Sequence, residues 1–136
     1  MDVQLHHVAL WTHNLERLKE FYIKYLNASC NELYHNRQTG FKSYFLTFQG
    51  GAKIEIMQKE GIPENLNDTV GKQYLGLIHL AFRVNSNDEV DRLATTYINA
   101  GIPVLRGPRM SGDGYYEFEA LDCDNNRFEI IYKIED

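Results

Sequence analysis

Four residues carry the chemistry most readily read from this 136-residue chain: His7, Glu55, His79 and Glu129. Imidazole nitrogens and carboxylate oxygens are donors that suit zinc, nickel, cobalt, manganese or iron. Two carboxylates also neutralise a divalent charge while leaving positions open for water or substrate. A closed structural zinc site draws more often on cysteine, and only Cys30 and Cys123 are present. A single strand histidine or glutamate is ordinarily a hydrogen-bonded or solvated side chain. These four stand apart because each belongs to a motif that occurs twice.

His7-Val8-Ala9-Leu10 returns as His79-Leu80-Ala81-Phe82, and Lys53-Ile54-Glu55-Ile56 returns as Arg127-Phe128-Glu129-Ile130. The interval from histidine to glutamate is nearly the same in both copies. Residues 1–58 and 76–136 therefore read as two homologous modules of one domain, 1–136, joined by a linker over 59–75. Within that linker the polar stretch Glu60–Tyr74, with Gly61, Pro63 and Gly71, reads as an exposed loop. His6, His13 and His35 have no repeat counterpart and read as ordinary structural or surface histidines.

The elements that must position the four donors follow the same order in each module. Leu5–Trp11 is a strand, and Asn14 caps a helix whose apolar positions Leu15, Leu18, Phe21, Tyr22, Tyr25 and Leu26 keep the helical period, with Asn27 as its stop. In the second module Ile78–Val84 is the strand. Ser86 and Glu89 form a capping box for a helix with Val90, Leu93, Ala94, Tyr97 and Ile98 inside, closed by Gly101. Strands are expected over Asn31–His35, Phe41–Phe48 and Ala52–Gln58, and again over Val104–Arg106, Tyr115–Leu121 and Arg127–Ile134. Gly50-Gly51 and Asp122–Asn126 serve as turns.

Side chains alternate across a strand. The even positions Val8, Leu10, Ile54, Ile56, Ile78, Leu80, Phe82, Phe128 and Ile130 are apolar and suit a face covered by a helix. The odd positions, which include all four donors, then share the opposite face. Faces that curve toward each other would bring two imidazoles and two carboxylates to one cation.

Composition narrows the partners. A formal charge of −5, with basic residues scattered along the chain, argues against nucleic acid. No run approaches the roughly 18 apolar residues of a membrane helix, and no cationic leader precedes the first strand, so a cytoplasmic protein with reduced thiols is expected.

The order H-V-A-L, K-I-E-I, H-L-A-F, R-F-E-I resembles the vicinal oxygen chelate superfamily, which includes glyoxalase I, fosfomycin-resistance thiol transferases, extradiol dioxygenases, methylmalonyl-CoA epimerase and bleomycin-binding proteins. The resemblance covers almost the whole chain. It implies an α+β fold of two βαβββ modules forming an open, cup-shaped mixed β-sheet around one divalent metal, zinc or nickel foremost. By it, His7 lies on the first strand, Glu55 on the fourth, His79 on the fifth and Glu129 on the eighth. Dioxygenases and fosfomycin enzymes of the superfamily typically present two histidines and one glutamate. A fourth ligand such as Glu55 groups the chain with glyoxalase I and the epimerases.

The resemblance thus implies a metal-dependent lyase or isomerase that moves a proton through an enediolate, with Glu129 as base and Glu55 as its partner. The substrate is small, such as a glutathione or other thiol adduct, and the protein pairs as a homodimer. A thiol transferase or dioxygenase on the same metal, or a metal-free antibiotic-binding protein, are the alternatives. Trp11, Arg83, Met57, Tyr115 and Tyr116 are candidate pocket walls. Arg37, Arg106 and Arg109 read as charges in surface loops.

Overall fold

Local signals at the helix ends set the architecture. Asn14 Oδ1 accepts a hydrogen bond from Arg17 N at 3.1 Å and opens helix α1, Leu15–Leu26, directly after strand β1, His7–Trp11. Asn27 stops the helix at φ 54°, a left-handed conformation that asparagine tolerates. Strands β2 (Ser29–Cys30), β3 (Tyr34–His35), β4 (Lys42–Thr47) and β5 (Lys53–Gln58) follow. The second half runs β6 (Leu80–Arg83), helix α2 (Asn87–Asn99), β7 (Val104–Met110), β8 (Tyr115–Leu121) and β9 (Arg127–Lys133). Ser86 Oγ accepts from Glu89 N at 3.1 Å, and Glu89 reaches back to Asn85 N at 2.8 Å. This is the expected capping box, shifted by one residue on its return bond.

The computed structural model describes residues 1–133, so Ile134, the expected end of the last strand, lies outside the described residues. The chain divides into one unit spanning Met1–Leu66 and another that begins at Asn67. Each is a helix with an open mixed sheet. Strand order is β1-β5-β4-β2, with β3 also on β4, and β6-β9-β8-β7. In both, the first strand lies parallel to the last, and the last lies antiparallel to the strand before it.

The helices cover the faces that parity predicts. Leu15, Leu18, Phe21 and Tyr22 of α1 are buried, as are Leu46, Ile54 and Ile56 of the sheet it packs on. Tyr97 of α2 packs edge-on to Phe118 and Phe128 at 5.6 and 5.9 Å. Val8, Leu10, Leu80 and Phe82 are only half-buried because β1 and β6 are sheet edges. Among the described residues no helix is long and apolar enough to cross a membrane, and neither Cys30 nor Cys123 is in a disulfide.

Four expectations need correction. The strand expected over Asn31–His35 is split: Asn31 Oδ1 takes the Phe45 amide at 2.8 Å, a bond that a continuing strand would make through its carbonyl. β7 runs on through Arg106 and Arg109, which are strand residues rather than loop charges. Register shifts accommodate them beside Glu119 and Glu117. His79 stands immediately before β6 rather than within it. Ile98 is 59% exposed. At about 100° per residue, Tyr97 rather than Ile98 falls on the stripe begun by Val90.

Ser86→Ala removes the α2 cap without touching the core. It is expected to lower unfolding free energy by about 1 kcal/mol in urea titration; an unchanged midpoint would contradict the capping role.

Candidate metal centre

The pairing of first strand with last brings each histidine to its glutamate. In the parallel ladder Ala9 lies opposite Glu55, and Ala81 lies opposite Glu129. The small side chains leave each glutamate room to reach the histidine two residues back. His7 Nε2 stands 3.5 Å from Glu55 Oε1, and His79 Nε2 stands 3.2 Å from Glu129 Oε1. The structure therefore forms both repeat-related pairs, each within its own unit.

The second unit adds a residue that sequence reasoning missed. Glu119 lies directly opposite Glu129 in the β8–β9 ladder, with Oε2 at 4.0 Å from His79 Nδ1. One donor atom from each of His79, Glu119 and Glu129 falls within 4.8 Å of the others, a group able to hold a metal ion. Its other oxygen, Oε1, accepts from Arg127 Nη1 at 2.9 Å. The same guanidinium donates to the Thr69 and Val70 carbonyls at 3.0 and 2.7 Å. Glu117 has Arg109 at 3.9 Å. Glu129, only 9% exposed, has the His79 imidazole as its ion-pair partner among the described residues. Burial pushes its carboxyl above the usual carboxylate range. His79 pulls it back, and Glu117 and Glu119 push it further up. Carboxylates this crowded favour a cation among them.

A model of the Glyoxalase/Bleomycin resistance protein/Dioxygenase superfamily matches residues 4–130. The chain belongs to this superfamily. The Bacillus subtilis (strain 168) protein YqjT, itself uncharacterised, is 26% identical over 93% of this chain and 97% of its own length. The fold is similar to that of the trypanothione-dependent glyoxalase I of Leishmania major, at 16% identity over 97% of this chain and 88% of that one, TM-score 0.75. It is similar also to the fosfomycin resistance protein FosX of Listeria monocytogenes, solved with Mn(II) and sulfate, at 21% identity over 97% and 93%, TM-score 0.69.

The remaining candidates separate by strand parity within each unit. Trp11 ends β1, 43% exposed, with its ring edge-on to Phe41 and its backbone in register with Met57. Arg83 ends β6 and is exposed. Tyr115 lies beneath the Lys133 ammonium at 5.8 Å. Tyr116 does not share that face: its hydroxyl donates to Asp91 of α2 at 2.5 Å, on the helix side. His13 pairs with Glu64 and His35 lies in β3, so neither joins the pairs.

His6 does join, contrary to its reading as an ordinary histidine. Its Nδ1 meets His7 Nδ1 at 2.8 Å. It also lines a hollow of about 340 Å³ in the first unit, together with Cys30, Asn31, Phe45, Thr47 and Lys53. Neither His6 nor Glu119 has a twin in the other module, since Ile78 and Phe45 hold the equivalent places. The available signal for Glu119 was parity along β8, where Tyr115, Glu117 and Glu119 alternate with Tyr116, Phe118 and Ala120.

The Glu129 pKa is higher folded than unfolded, so folding favours its protonated form. The cation-free protein then loses stability as pH rises through that window and regains it below. Glu129→Gln removes the penalty. In chelator at about pH 7 the variant is expected to unfold at higher urea concentration than the unaltered protein, with the gap closing toward about pH 4. Lower stability of the variant at both pH values would contradict the assignment.

Proposed function

We propose that the protein is a metal-dependent lyase or isomerase of the glyoxalase I type, with His7, Glu55, His79 and Glu129 as ligands of one divalent cation. Zinc and nickel fit this donor set first; cobalt, manganese and iron are also suited. The observation that carries the reading is the doubled pair: an imidazole Nε2 facing a carboxylate Oε1 on the neighbouring strand, at 3.5 Å in one unit and 3.2 Å in the other. Superfamily membership supports it. Glu55 favours this chemistry over a thiol transferase or dioxygenase, for which two histidines and one glutamate are typical. A protein that only sequesters an antibiotic has no use for the second pair.

When bound, the cation supplies Lewis-acid polarisation of vicinal substrate oxygens. The chain's own groups do the rest. Glu129, buried beside the His79 imidazole, accepts a proton from the substrate carbon and returns it to the adjacent carbon. Glu55 is the second carboxylate, on the other face of the substrate. Trp11 and Met57 pack on an apolar body, Tyr115 lines the wall, and Arg83 meets an anionic end. The substrate class is an adduct of a small 2-oxoaldehyde with glutathione or another thiol, handled in the cytoplasm by a homodimer.

Protein purified without chelator is expected to carry about one equivalent of divalent metal. Less than about a tenth, with no uptake of zinc, nickel, cobalt, manganese or iron, overturns the reading. With methylglyoxal and glutathione as first substrates, Glu129→Gln is expected to retain most of the metal while turnover falls by about 100-fold or more. Undiminished turnover removes Glu129 from the base role.

A further inference from the structure

We infer that His6 is a positioning residue that decides which nitrogen of His7 is free to ligate a cation, an inference that rests on the metal reading above. His6 precedes β1, yet its backbone is not loose. Its carbonyl accepts the Lys53 amide at 2.9 Å, extending the β1–β5 ladder by one step. From there its ring meets His7 nearly at right angles, with centroids 5.1 Å apart. Phe45 stands edge-on to both rings, at 6.4 Å from His6 and 5.3 Å from His7. The contact between them is Nδ1 to Nδ1 at 2.8 Å. At that distance one ring donates a hydrogen and the other accepts it.

Only one of the two arrangements suits a ligand. If His6 donates, neutral His7 carries its proton on Nε2, the atom facing Glu55, and has no lone pair to offer there. If His7 donates from Nδ1, its Nε2 lone pair is free beside the Glu55 carboxylate, and His6 holds its own proton on Nε2. A metal-ligating imidazole ordinarily gives its other N–H to such an acceptor, which fixes ring and tautomer. His6 supplies that acceptor in the first unit.

The second unit has no counterpart of this ring-to-ring contact. Ile78 stands at the position equivalent to His6, and Glu119 Oε2 lies 4.0 Å from His79 Nδ1, beyond hydrogen-bond distance. The imidazole contact is therefore peculiar to the first half of the repeat, while Glu119 is held by Arg127 in the second.

The test uses the full chain and zinc alone, with affinity measured by competition against a chromophoric chelator. His6→Phe keeps a ring but offers no acceptor, and is expected to bind zinc about 10-fold more weakly or worse. His6→Asn places an amide oxygen close to where Nδ1 stands, and is expected to recover affinity to within about threefold of the unaltered protein. Long-range ¹H–¹⁵N spectra of the zinc-loaded unaltered protein should place the His7 proton on Nδ1 and the His6 proton on Nε2. Equal zinc affinity in His6→Phe, no recovery in His6→Asn, or a His7 Nδ1 without its proton overturns this inference alone. Failure of the unaltered protein to bind zinc or any of the other divalent ions overturns the metal reading and this inference with it.

Discussion

The alternation of side chains along β5 and β9 is the constraint on which the rest depends. Each strand lies inside its sheet, paired on both edges, so every second residue is committed to the layer beneath a helix. Ile54 and Ile56, and likewise Phe128 and Ile130, fill that layer. The residue between them has no freedom of face. A glutamate there must emerge on the open side, and the parallel strand alongside sets a histidine within reach of it. The His–Glu pairs are thus positioned by the requirement to bury their neighbours, and the hydrophobic core and these pairs share one register.

Electrostatics makes the two copies unequal. In the first unit Glu55 faces an aromatic, Phe45, across the ladder. In the second, Glu129 faces another carboxylate, a pairing that is unfavourable between adjacent strands unless charge is supplied. Arg127 supplies it to Glu119 and Arg109 to Glu117, while Glu129 relies on an imidazole. The most buried donor of the four is therefore also the one least comfortable as an anion.

Much of this is legible in the sequence, and for local reasons. The helix stops, the caps and the His–Glu pairs depend on short spacings that recur in both halves. Asn27, read as the helix stop, takes a positive φ of 54°, and Asn125 in the turn over Asp122–Asn126 takes 64°. Glu119, His6 and the course of β7 are less legible because they break the repeat. Comparing halves hides a residue present in only one of them. β7 contains Gly107 and Pro108, which read as an interruption until the register shifts around them are seen. Asn31 likewise looks like a strand residue, yet it satisfies the neighbouring backbone through its side chain.

Lys53 and Arg127 occupy the same rung of the duplicated motif, one residue-pair ahead of the glutamate. A guanidinium can branch to several acceptors at once, whereas an ammonium is a point charge on a flexible stem. Arg127 accordingly ties a carboxylate and two carbonyls of the incoming chain together, while Lys53 borders an open hollow. Duplication has in this way divided two duties between copies. Replacing the lysine therefore leaves these backbone ties untouched, whereas replacing the arginine cuts three hydrogen bonds that hold residues 69, 70 and 119 to the last strand.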